Sequence, residues 1–186
     1  MSKIYLATLG GTIDSAPYPE PGQGDYPVDA IMTDNPRAPL ALREIFAEAN
    51  RPHDLKVIKV CEKDSKDVTA CNRSFLLGII REAARNNAER VIVTMGTDRM
   101  CENAQDIYAA WPDVPIPVVF TGAIWPLANG HHSDGWDNLR KASFQSADPG
   151  VYIAMGEVFA PAMLVTKDFD RRVFVVNEAA SMPSAP

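Results

Sequence analysis

The chain predicts a three-layer α/β/α fold around a mostly parallel sheet, and three observations predict it. Short apolar runs of strand length alternate with longer stretches of helical period. The runs Ile4-Tyr5-Leu6-Ala7 and Val91-Ile92-Val93 are apolar throughout, as in strands covered on both faces. The length of 186 residues and the hydrophobic share of 46% suffice for one compact domain with a core. No linker marks a second unit, so residues 1–186 read as one domain, with 180–186 as a frayed tail.

The elements follow in order. Residues 3–9 predict the first strand. Residues 15–37 hold seven prolines and glycines together and predict a loop too long for an ordinary connection, hence a functional lid or a disordered segment. Residues 38–50 predict a helix with Leu40, Leu42, Ile45 and Phe46 near one face. Leu55 to Cys61 alternates as a strand. Asp67 or Thr69 can cap the next helix, whose apolar stripe is Phe75, Leu76, Ile79 and Ile80. Residues 90–95 predict the third strand and 99–110 a helix, which the Pro112–Pro117 stretch stops. Ile116 to Thr121 predicts the fourth strand, and Ser133 caps a helix running to about residue 147. Val151–Met155, Ala162–Val165 and Val173–Val176 read as the remaining strands. This alternation is that of a flavodoxin- or Rossmann-like sheet.

Composition narrows the function. The formal net charge is −6 and the acidic residues are scattered, so no basic stripe is available for nucleic acid. No run approaches the ~20 apolar residues of a membrane span, and Met1-Ser2-Lys3 enters a strand without a leader-like apolar segment. Cys61, Cys71 and Cys101 are odd in number and lack CxxC spacing. They read as core residues of a cytoplasmic protein rather than a disulfide framework. His131-His132 with Asp134 has no third imidazole or thiolate spaced to complete a metal site. Gly10-Gly11-Thr12 lacks the G-x-G-x-x-G frame of nucleotide binding.

Two threonines carry the chemistry. Thr12 lies in Leu9-Gly10-Gly11-Thr12-Ile13-Asp14 and Thr97 in Thr94-Met95-Gly96-Thr97-Asp98. Each follows a strand, next to glycine, where α/β sheets place their ligand crevices. Two such hydroxyls point to chemistry on a small polar substrate, and the alternative for each is a plain strand-end turn.

At these motifs the chain resembles the bacterial-type L-asparaginase family, specifically its amino-terminal domain. The likeness rests on Leu9–Ile13, on Met95–Met100 with Glu102, on Val118–Pro126 followed by Ser133-Asp134-Gly135 and Asn138-Leu139, and on Val165-Thr166-Lys167. A weaker block is Lys63–Asp67. The chain stops where most members begin a second domain, so it is similar to short, single-domain members. Met95 stands in place of a histidine, Arg99 of a threonine, Lys66 of a glutamine and Trp125 of an arginine.

The resemblance implies hydrolysis of L-asparagine to L-aspartate and ammonia without a cofactor. It implies Thr12 as the nucleophile, and Thr97 with Lys167 as the pair that positions or activates water. Asp98 is implied to bind the substrate α-ammonium, and the carboxylate is also a candidate helix N-cap. A lysine acts as a base only where burial or nearby positive charge lowers its pKa. Ser65 is implied to hold the substrate α-carboxylate beside Asp64. Lys66 either adds a charge pair to that carboxylate or points outward. Gly11 and Gly96 bring backbone close to the substrate, and Ala123 brings it to the amide end. A loop tyrosine assists Thr12, either Tyr18 or, alternatively, Tyr26. One methylene is worth only ~1–3 kcal/mol of discrimination, so glutaminase activity stays open, as does a weakly catalytic module that binds an amino acid or nucleotide. The resemblance also implies a homo-oligomer, dimer or tetramer, whose own loops close each site.

Overall fold

The computed structural model describes residues 2–19 and 36–177. In chain order the elements are β1 (Ser2–Thr8), α1 (Ala38–Glu48), β2 (His53–Lys59), α2 (Ala70–Arg85), β3 (Arg90–Thr94), α3 (Met100–Ala110), β4 (Pro117–Thr121), α4 (Gly135–Phe144), β5 (Gly150–Met155), β6 (Val158–Pro161), β7 (Val165–Asp168) and β8 (Val173–Val176). Among the described residues, six strands form one sheet in the order β2-β1-β3-β4-β5-β6, and β7 pairs with β8 in a second. All pairings in the large sheet are parallel except β5 with β6.

The strand order reverses between β1 and β3, which follow one another in space but not in sequence. At such a switch point the loops leave in opposite directions and open a crevice at the carboxyl ends of the strands. The backbone ladder continues one step past those ends: Leu9 N–H donates to the Thr94 carbonyl at 2.9 Å, and Met95 N–H to that of Thr121 at 3.1 Å. The loops that carry the two threonines are therefore fixed where they leave the sheet.

Side-chain alternation divides the core in two. Tyr5, Ala7, Val91, Val93, Val118 and Phe120 pack with α2 and α3. Ile4, Leu6, Ile92 and Val119 pack with α1 and α4. Each fully buried Leu, Ile or Phe contributes about 1.5–3 kcal/mol relative to exposure, so both layers are strongly held.

Several expectations are corrected. Leu40 and Phe75 face outward, at 59% and 52% exposure. α1 buries Ala38, Ala41, Leu42, Ile45 and Phe46 instead, and α2 buries Leu76, Ile79, Ile80 and Ala83. The α2 cap is Thr69, in a capping box with Asn72. α4 stops at Phe144, and its N-cap is Asp134 rather than Ser133, without a side-chain cap; Ser133 Oγ, one residue earlier, accepts the Gly135 N–H at 3.0 Å. Ala162–Leu164 is a 3-10 turn rather than a strand. The strand before it, β6, pairs antiparallel across the tight Gly156-Glu157 turn. Of the cysteines only Cys101 is buried; Cys61 is half-buried and Cys71 exposed. Most of the expected lid and the tail beyond Asn177 lie outside the described residues.

Candidate active site

Three loops meet at the switch point, and glycine lets them touch. Gly11 has φ of 88° and lies so close to Gly96 that a Cβ built on it would stand 2.1 Å from the Gly96 nitrogen. Gly96 in turn packs on Ser65, where a Cβ would meet the Ser65 nitrogen at 3.0 Å. No side chain fits the first contact. Gly11 thus acts as floor, underneath Thr12, and is not among the residues that face the cleft.

The cleft above this floor has a volume of about 550 Å³. Thr12, Tyr18, Ser65, Thr97, Asp98 and Lys167 all line it. Two hydrogen-bonded groups of side chains stand in it. In one, Thr12 Oγ1 lies 3.3 Å from Tyr18 Oη. In the other, Lys167 Nζ donates to Thr97 Oγ1 at 2.9 Å and to Asp98 Oδ1 at 2.6 Å. Lys167 arrives from β7, whose start is held by Gln105 of α3 through the carbonyls of Ala162 and Val165, at 3.1 and 3.4 Å.

Asp98 does not cap α3, which begins without a side-chain cap at Arg99. Its second oxygen, Oδ2, lies 2.9 Å from Lys66 Nζ. Lys66 thus turns toward Asp98, a pairing distinct from both readings of the sequence. Burial pushes the Asp98 carboxyl up, but the hydrogen bonds and charges of Lys167 and Lys66 outweigh this and hold it below the usual carboxylate range. Ser65 Oγ accepts the Arg99 N–H at 3.1 Å and stands 3.5 Å from Asp64 Oδ1. Asp64 caps its own turn by accepting the Lys66 N–H at 2.9 Å.

Ala123 is fully buried in the core beside Leu127 and Leu139; its neighbours Ile124 and Trp125 face the cleft instead. Their N–H groups both donate to Asp134 Oδ1, at 2.9 and 2.8 Å. Asn138 ties the same loop through the Gly122 carbonyl at 3.0 Å. Tyr26 lies outside the described residues. His131 and His132 pack ring against ring at 4.0 Å, and no group of His, Cys, Asp or Glu among the described residues is arranged to hold a metal ion.

Sequence reasoning missed two residues. Asn129 clamps Tyr18 from both sides: its Oδ1 accepts the Tyr18 N–H at 2.9 Å and its Nδ2 donates to the Tyr18 carbonyl at 2.8 Å. Arg172, from the turn between β7 and β8, also lines the cleft. Neither carries a sequence signal of its own, because each acts across a long separation.

The family model for the amino-terminal domain of asparaginase matches residues 3–179. The chain belongs to the asparaginase family. Three solved structures of L-asparaginases share the fold. The probable cytoplasmic L-asparaginase of Campylobacter jejuni has a TM-score of 0.73 at 22% identity, over 96% of this chain and 54% of that one. The thermostable L-asparaginase of Thermococcus kodakarensis has a TM-score of 0.70 at 22% identity, over 94% and 51%. L-asparaginase I of Vibrio cholerae has a TM-score of 0.71 at 24% identity, again over 94% and 51%. A curated relative from Nanoarchaeum equitans, a component of its glutamyl-tRNA(Gln) amidotransferase, is 32% identical over 115 residues, 61% of this chain and 26% of that protein. The chain thus spans about half the length of these asparaginase structures and about a quarter of the amidotransferase component.

Proposed function

We propose that this chain is an amidohydrolase of the L-asparaginase type, which hydrolyses the side-chain amide of L-asparagine to L-aspartate and ammonia. One observation carries the reading: two strand-end hydroxyls face one cleft, and each has its own proton partner, Tyr18 for Thr12 and Lys167 for Thr97. Thr12 Oγ attacks the amide carbon as its proton passes to Tyr18 Oη and the phenol hands its own proton on. The C–N bond breaks, the amide nitrogen takes up the relayed proton, and ammonia leaves an acyl-Thr12 ester. Water held by Thr97 and Lys167 then attacks that ester, and Thr12 regains its proton. Separate partners for the two hydroxyls suit two successive nucleophiles. The reading calls for no cofactor.

A second reading, a binding module with little catalysis, loses most of its sequence support. Met95 is fully buried in the core, and Arg99 is exposed and contributes only its backbone N–H to Ser65. Both of these departures from the family pattern therefore lie outside the cleft lining, whereas Lys66 and Trp125 belong to it.

The test is ammonia release from L-asparagine by purified protein. Thr12→Val and Lys167→Met should each fall by ~10²-fold or more. A wild type that is inert yet binds L-aspartate favours the binding module. Near-normal rates in both variants overturn the assigned roles. Cytoplasmic residence and a homo-oligomeric state, dimer or tetramer, belong to the same proposal. Among the described residues no helix is long and apolar enough to cross a membrane.

A further inference from the structure

One arrangement in the cleft exceeds what amide hydrolysis requires. Both oxygens of Asp98 already face an ammonium group, Lys167 at 2.6 Å and Lys66 at 2.9 Å. The two lysines differ in setting. The Lys167 side chain is 6% exposed and also engages Thr97, whereas that of Lys66 is 55% exposed and enters from the rim. The turn that carries Lys66, Ser65–Asp67, is pinned by Asp64 through the Lys66 N–H. The Lys66 side chain therefore reaches Asp98 from a fixed base.

A ligand with an α-ammonium needs a carboxylate in the cleft. Among the described residues the lining offers two, Asp64 and Asp98. Asp64 is engaged by its own turn through Oδ1, whereas Asp98 is engaged through both oxygens. At Asp98 an incoming ammonium meets Lys66 as a like charge at close range. A ligand without that ammonium leaves the Lys66–Asp98 pair intact. Its carboxylate then finds Lys66 and Arg172, cations of the same cleft. A built-in like charge is a repulsive element of the kind that sets specificity.

We infer that Lys66 fills the ammonium position at Asp98 and makes the cleft select anionic amides that lack a free α-ammonium, such as succinamate, over L-asparagine. That the ligand is an amide rests on the hydrolase reading above. The preference for an anion without an ammonium rests on the two ion pairs.

Calorimetric titration of the whole chain with succinate and with L-aspartate tests the preference apart from catalysis. Wild type should bind succinate at least ~10-fold more tightly than L-aspartate, and Lys66→Gln and Lys66→Met should each shift that ratio ~10-fold or more toward L-aspartate. Equal or tighter binding of L-aspartate by wild type, a ratio unchanged in both variants, or no binding of either ligand overturns the inference. Lys66 is a rim side chain, so thermal melts of the variants should match wild type; if one variant fails to fold, the wild-type ratio and the other variant decide. Ammonia release from succinamate and L-asparagine separates the two claims. The expected binding ratios without ammonia from either amide sink the hydrolase reading alone. Hydrolysis with L-asparagine preferred sinks the inference and keeps the hydrolase.

Discussion

At the residue scale, the site depends on side chains held by specific partners. Tyr18 Oη stands 3.3 Å from Thr12 Oγ1, its backbone is clamped by Asn129, and its ring lies 6.2 Å from that of Trp125. Tyr18→Phe keeps the ring and the clamp and removes only the hydroxyl. On the hydrolase reading kcat should fall by ~10²-fold or more while KM changes little. Steady-state kinetics of ammonia release measures both, and a KM effect alone would assign Tyr18 to binding. The placement of Tyr18 beside Thr12 was legible from their nearness in sequence. Asn129 was not, because its role is set by a fold that closes 111 residues of separation. The Lys66–Asp98 pair was hidden for the same reason: the sequence states charges, not which of them meet.

At the scale of elements, the start of α1 is tied to the threonine loop. Asp14 Oδ1 accepts the Ala38 N–H at 2.7 Å and so satisfies one of the orphan donors of the helix's first turn. Burial pushes the Asp14 carboxyl up, more than its backbone hydrogen bonds lower it. A raised folded pKa means that the native state binds the proton more tightly than the unfolded chain. Stability from this group is full below the ordinary Asp range and declines as pH rises through the raised value. Asp14→Asn retains the acceptor and removes the charge. Its Tm should fall less than that of wild type as pH increases from roughly 4 to 7, a comparison made by thermal melts at several pH values. Strands at the centre of the sheet were readable because β1, β3 and β4 are apolar on both faces. Helix faces were readable only to within one position. Leu40 and Phe75 fit an apolar stripe by period, yet burial falls on Ala41 beside the one and on Leu76 beside the other. β6 went unread because Val158–Pro161 is short and lies on an edge, where proline is tolerated.

At the scale of the molecule, both core layers share one sheet, so damage to a central strand reaches each. Ile92 is fully buried in β3. Ile92→Ala should cost about 2–5 kcal/mol and lower the denaturation midpoint without changing the denaturant slope, as chemical unfolding will report. The β7–β8 hairpin carries Lys167 and, beside it, Phe169, Val173 and Val176, which are 60%, 38% and 42% exposed. Those apolar side chains support the proposed homo-oligomer. Sedimentation should give at least a dimer, and Val173→Asp should shift it toward monomer; a wild-type monomer with full activity overturns the proposal.

The glycine contact beneath the cleft has an implication for how such a protein diversifies. Where backbone rests on backbone, a single added methyl group has nowhere to go, so the base of the cleft is closed to mutational drift. The surrounding brim, built from Lys66, Ile124, Trp125 and Phe169, rests on no such glycine contact. New ligand preferences are therefore reachable by exchanging brim side chains while the reactive geometry stays frozen, and a randomised library confined to those four positions should return folded proteins with altered selectivity.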